Sequence, residues 1–86
     1  MSEAGSSITV VFDSIHYVLS AERTFHQRGL WCDLVPTPMD LGASCGMVLE
    51  FHASDRERAW EILRDPRLRV KGVYQNQKEG FVQLEP

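Results

Sequence analysis

The sequence predicts an α+β domain with the element order β-α-β-β-α-β, and three observations predict it. Short β-branched or alternating apolar runs occur four times. Two stretches between them carry apolar residues at helical spacing. The second and third strands are joined only by a connection containing Pro and Gly, whereas a helix separates each of the other neighbouring pairs.

The elements follow in order. Residues 1–7 are small and polar and form a lead-in. Ile8-Thr9-Val10-Val11-Phe12 is a β-branched, buried-strand signal. Asp13-Ser14 suits a helix start. Ile15, Val18, Leu19 and Phe25, with Ala21 nearby, supply the apolar stripe of the first helix, and Gly29 stands at its left-handed end. The second strand covers residues 30–35, with Trp31, Asp33 and Val35 on one face and Cys32 and Leu34 on the other. Pro36-Thr37-Pro38 ends it. Residues 36–46 form a long loop. In residues 47–52, Met47, Leu49 and Phe51 face one way, and Val48, Glu50 and His52 the other. Ser54-Asp55-Arg56-Glu57 reads as a capping box before the stripe Ala59, Trp60, Ile62 and Leu63. Pro66 ends that helix at Asp65. Residues 70–75 form the fourth strand, residues 76–80 a polar turn, and residues 81–84 a short fifth strand or a docked tail.

This order is that of a ferredoxin-like fold, with a four-stranded antiparallel sheet and two helices on one face. One domain spans residues 8–75, and residues 76–86 are its C-terminal turn and short strand. The topology brings three groups to one end of the sheet: Ser44-Cys45-Gly46; Asp13-Ser14 with His16; and Arg64, Arg67 and Arg69. On the open face, Val11, Trp31, Val35, Val48 and Val73 are expected to form an apolar patch suited to a homodimer.

Composition narrows the function. The chain has 86 residues, 43% of them hydrophobic, which allows one domain with a modest core. Nine basic residues against twelve acidic ones give a net charge of −3 and argue against nucleic acid as a partner. The outward strand positions Thr9, Val11, Val48, Glu50 and His52 also lack the aromatic residues on which RNA-recognition domains stack bases. No apolar run is long enough for a membrane span, and residues 1–7 do not read as a signal peptide, so the expected compartment is the cytoplasm. The three histidines lack metal-ligand spacing, and no phosphate loop or nucleophile motif is present. No metal or cofactor is therefore expected.

Two cysteines remain. Cys32 lies in a strand on the apolar face and reads as core packing. Roughly 13 Å of strand separates it from the loop, too far for a disulfide to Cys45. Cys45 lies in the loop, at the end of the sheet where a helix N-terminus and cations gather. Such surroundings lower a thiol pKa and favour the reactive thiolate. Gly46 keeps the backbone beside the sulfur narrow. Taken alone, the residues leave three readings open: a small residue in a turn, a reactive thiol, or a redox sensor.

Phe12-Asp13-Ser14-Ile15-His16, Ala21-Glu22-Arg23, Gly29-Leu30, Leu34-Val35-Pro36-Thr37-Pro38 and Ser44-Cys45-Gly46 together resemble the Se/S carrier protein-like family of small prokaryotic proteins. The resemblance runs from about Ile8 to Tyr74, and the Pro-x-Pro followed by Ser-Cys-Gly is its most specific part. It implies that Cys45 carries sulfur as a persulfide or selenium as a perselenide, with Ser14, His16, Ser44 and Gly46 in support. It implies a carrier rather than a stand-alone enzyme, loaded by a donor such as a cysteine desulfurase and unloaded by an acceptor enzyme. Family members commonly carry a basic residue after the second proline, where this chain has Met39-Asp40. The rival readings are a self-associating ferredoxin-like binding or regulatory module and a thiol redox sensor.

Overall fold

The computed structural model describes residues 7–41, 46–77 and 80–84. It contains β1 (Ser7–Phe12), α1 (Ile15–Gln27), β2 (Asp33–Pro36), β3 (Met47–His52), α2 (Arg56–Leu63), β4 (Val70–Gln77) and β5 (Gly80–Leu84). Single 3-10 turns lie at Met39–Leu41, Ala53–Asp55 and Pro66–Leu68. All strands pair antiparallel in the order β2-β3-β1-β4-β5. The α+β class and the two helices agree with expectation, but the sheet has five strands and not four. The difference lies in the polar stretch after residue 75. There β4 continues to Gln77, which pairs with Gly80 at φ 132°. No described helix is long and apolar enough to cross a membrane.

The core lies between the sheet and both helices. Ile8, Val10 and Phe12 of β1, Leu49 and Phe51 of β3 and Val73 of β4 share one cluster with Val18, Ala21 and Phe25 of α1 and Ala59, Ile62 and Leu63 of α2. Both helices therefore cover the same face of the sheet. The α1 stripe is narrower than the sequence suggested, because Ile15 and Leu19 lie on one exposed flank. Val18, Ala21 and Phe25 sit within about 60° of one another at 100° per residue, and that arc alone meets the sheet.

Two caps differ from expectation. A 3-10 turn precedes α2, and Asp55 rather than Ser54 is its N-cap, without a side-chain capping bond. At the far end of α1, the Leu30 N–H donates to the Phe25 carbonyl at 2.9 Å and the Gly29 N–H to the His26 carbonyl at 3.1 Å. This double closure requires Gly29 at φ 73°. It takes up Gly29 and Leu30, and β2 accordingly begins at Asp33.

The face away from the helices also departs from the expected patch. Val73 pairs with Val10 and points into the core. Val11 and Val48 do face away from the helices, but they are 5% and 0% exposed. The turn Met39–Leu41 comes alongside β5, at the opposite edge of the sheet from β2. The chain leaving β2 thus reaches the far edge of the sheet by Met39–Leu41. Farther along that face, the Thr9 hydroxyl donates to Asn76 Oδ1 at 2.9 Å and Asn76 Nδ2 donates to the Ser7 hydroxyl at 2.6 Å.

Gly29→Ala is expected to lower stability by about 1 kcal/mol in denaturant titrations, because the left-handed backbone strains any Cβ. An added Cβ there meets nothing within 4 Å, so the loss comes from backbone strain and Gly29→Asn should lose less.

Candidate functional site

The two cysteines fall in different settings. Cys32 is 8% exposed and belongs to the core cluster. Burial, reinforced by the negative charges of Glu22 and Asp33, pushes its thiol from the ordinary 9.0 up to about 11. At neutral pH it is a protonated, poorly nucleophilic group. Cys45 and Ser44 lie outside the described residues.

The ends of the connection that carries Cys45 are well defined. Pro36 pairs with Met47, and the Thr37 N–H donates to the Gly46 carbonyl at 3.2 Å. The residue that follows Cys45 is thus held to the end of β2. Gly46 itself is exposed, and a Cβ on it would meet nothing within 4 Å. Its backbone needs no left-handed angle, so whatever it contributes comes from open space. Continuing the β1–β3 register by three residues brings Gly46 level with Asp13.

Ser14 is the N-cap residue of α1, half-buried, with extended geometry at φ −155° and ψ 167°. Its side chain makes no capping bond, and no acidic residue occupies the first turn. The Ser14 carbonyl accepts from the Tyr17 and Val18 N–H groups. The first N–H groups of the helix, on Ile15 and His16, have no intrahelical partner, which leaves positive potential at this terminus. His16 is exposed, with its ring edge-on to Tyr17 at 5.3 Å.

The same end carries part of the expected basic group. The Asp13 N–H donates to the Arg69 carbonyl at 3.3 Å, and Arg69 Nε donates to Asp13 Oδ2 at 3.3 Å. Arg69 adopts a left-handed conformation at φ 55°, beside a bulge where Val11 faces Gly72 and Phe12 faces Val70. Arg67 instead closes on Asp65, which accepts from its Nε at 3.1 Å and its Nη2 at 2.9 Å. The fork draws the Asp65 carboxyl below its ordinary value and raises Arg67. The Asp13–Arg69 clasp joins residues 56 positions apart, so no local pattern reveals it. Only the topology suggested that these residues share an end.

Among the described residues no group of three or more His, Cys, Asp or Glu side chains could hold a metal ion. What the fold and this end of the sheet define is a small α+β thiol protein with one cysteine sealed in its core. Residues 7–75 match the family described as "Putative Se/S carrier protein-like", and the chain belongs to that family. No curated protein and no solved structure matches the chain.

The Cys32 thiol has a measurable pH signature. The folded protein holds this proton more tightly than the unfolded chain does. Its contribution to stability is therefore complete below pH 9.0 and is lost as pH rises through about 11. Unfolding free energies taken across that window should fall more steeply in the parent protein than in Cys32→Ala, by up to about 1.4 kcal/mol per pH unit. Equal slopes would contradict the assignment.

Proposed function

We propose that the protein carries sulfane sulfur or selenium on Cys45, as a persulfide or perselenide, between a donor such as a cysteine desulfurase and an acceptor enzyme. One observation carries the reading beyond family membership. The chain has two cysteines, and Cys32 is buried with its thiol pushed up to about 11, so the carrying role falls to Cys45.

The loading step conserves electrons. The Cys45 thiolate attacks the outer sulfur of the donor persulfide, an S–S bond forms at Cys45, and the donor S–S bond breaks. The donor cysteine leaves as a thiolate and takes up a proton. Unloading repeats the exchange with the acceptor as nucleophile. Three features near Gly46 support a thiolate at this position. They are the open first turn of α1 after Ser14, the neighbouring His16, and the Arg69 guanidinium held by Asp13. Ser44 would add a hydroxyl donor beside the sulfur.

Intact-mass and peptide mapping after incubation with a cysteine desulfurase and cysteine should show a gain of about 32 Da on Cys45, and with selenocysteine about 80 Da. Cys45→Ser should abolish the gain and Cys32→Ala should keep it. A gain that persists in Cys45→Ser, or none in the parent protein, would falsify the carrier reading.

A further inference from the structure

Three of the five large apolar side chains exposed among the described residues flank one edge of the sheet: Ile15 at 42%, Leu19 at 46% and Trp31 at 48%. That edge is β2. Its outward hydrogen-bonding groups follow from the register. Thr37 donates inward to Gly46, so Val35 and Asp33 also face β3, and Leu34 presents its N–H and C=O outward. Pro36 falls on the outward parity as well, where its missing N–H costs the sheet no bond to β3.

The α1 flank runs along the same edge. Ile15, Leu19, Glu22 and His26 lie within about 60° of arc at 100° per residue. Helix α1 lies against β3 and β2, with α2 on its other side, where Arg58 donates to the Arg28 carbonyl at 3.0 Å, and the charge of Glu22 is felt at Cys32, the residue just before β2. Descending from Ser14 at 1.5 Å per residue and from Pro36 at about 3.3 Å per residue sets Leu19 roughly level with Leu34, and Glu22 with Cys32. On the other face Trp31 stacks on His52 at 4.3 Å. On the helix face the edge is therefore apolar towards its Pro36 end, through Ile15 and Leu19, and acidic towards the other, through Glu22, while Asp33 adds a carboxylate beside Trp31 on the opposite face.

We propose that β2 and the adjoining α1 flank dock an extended segment of the protein that exchanges sulfur or selenium with Cys45. The segment adds as a strand to β2. It places an apolar side chain between Ile15 and Leu19, and basic side chains against Glu22 on the helix face and Asp33 on the opposite face. Strand addition of this kind uses the main chain for affinity and alternate side chains for selectivity. The charge of the edge selects a cationic partner segment. The position is productive because β2 leads directly into the Thr37–Gly46 neck, so a docked partner lies beside the connection that holds Cys45. The inference rests on the carrier reading.

The test loads Cys45 from two sources, a cysteine desulfurase with cysteine and a small inorganic polysulfide. Leu19→Asp, and separately Glu22→Lys combined with Asp33→Lys, should slow loading by the desulfurase on the order of tenfold at limiting protein concentration. Both variants should leave polysulfide loading unchanged, and raising the salt should slow the parent protein towards the charge variant. Desulfurase loading that is unaffected, or equal slowing with both sources, overturns the docking proposal and leaves the carrier reading intact. Failure of the parent protein to load from either source overturns the carrier reading, and the docking proposal with it. A parent dimer in sedimentation velocity that Leu19→Asp dissociates would mean that a second copy occupies the edge, and would overturn the assignment to a partner enzyme.

Discussion

Strand β1 is paired on both sides and buried on both faces, and the rest of the chain satisfies that condition. Its backbone groups bond β3 on one side and β4 on the other. Ile8, Val10 and Phe12 meet the two helices, while Thr9 and Val11 face the other way and are equally hidden from water. An antiparallel sheet with helices on one face usually leaves the other face wet. Here that face is dry at its centre, with Val11 5% and Val48 0% exposed, and the lone polar side chain of the strand interior, Thr9, bonds Asn76. Met39–Leu41, which follows β2, lies alongside β5 at the far edge of the same sheet.

The same economy separates the two thiols. Cys32 fills a core position at the start of an edge strand, where lost hydration and two nearby carboxylates keep it protonated. Such a residue adds apolar volume and little reactivity. Because its environment suppresses the thiolate, Cys32 is a weak nucleophile at neutral pH.

Much of this architecture was legible in the sequence. Alternation in Met47–His52 assigned each side chain of β3 to its correct face, and Gly29 marked the end of α1. The Pro-x-Pro and Ser-Cys-Gly residues led to the family that the chain belongs to. Other features escaped for physical reasons. Ile15 and Leu19 satisfy helical spacing, but an apolar stripe reveals its arc and not how much of that arc a small sheet can cover. Val73 was assigned outward because a four-residue alternation fixes relative faces and leaves their absolute direction to the pairing register. Residues 81–84 are compatible in sequence with either a short strand or a docked tail, and it is the pairing of Gly80–Leu84 with β4 that makes them a strand. The Asp13–Arg69 clasp depends on a left-handed arginine, a conformation that no local sequence rule assigns. Of the candidate site, residue types and the shared end of the sheet could be read from the sequence. The placement of Cys45 and Ser44 lies outside the described residues.

The stack of Trp31 on His52 gives the molecule an optical property of its own. The two rings lie 4.3 Å apart and 17° from parallel at the rim of the sheet, whereas Trp60 packs on Phe51 beneath an arginine. The two tryptophans consequently report on different territories, Trp60 on the helix-packed interior and Trp31 on the solvent-facing margin. The protein carries its own spectroscopic label at the border of β2, installed by folding.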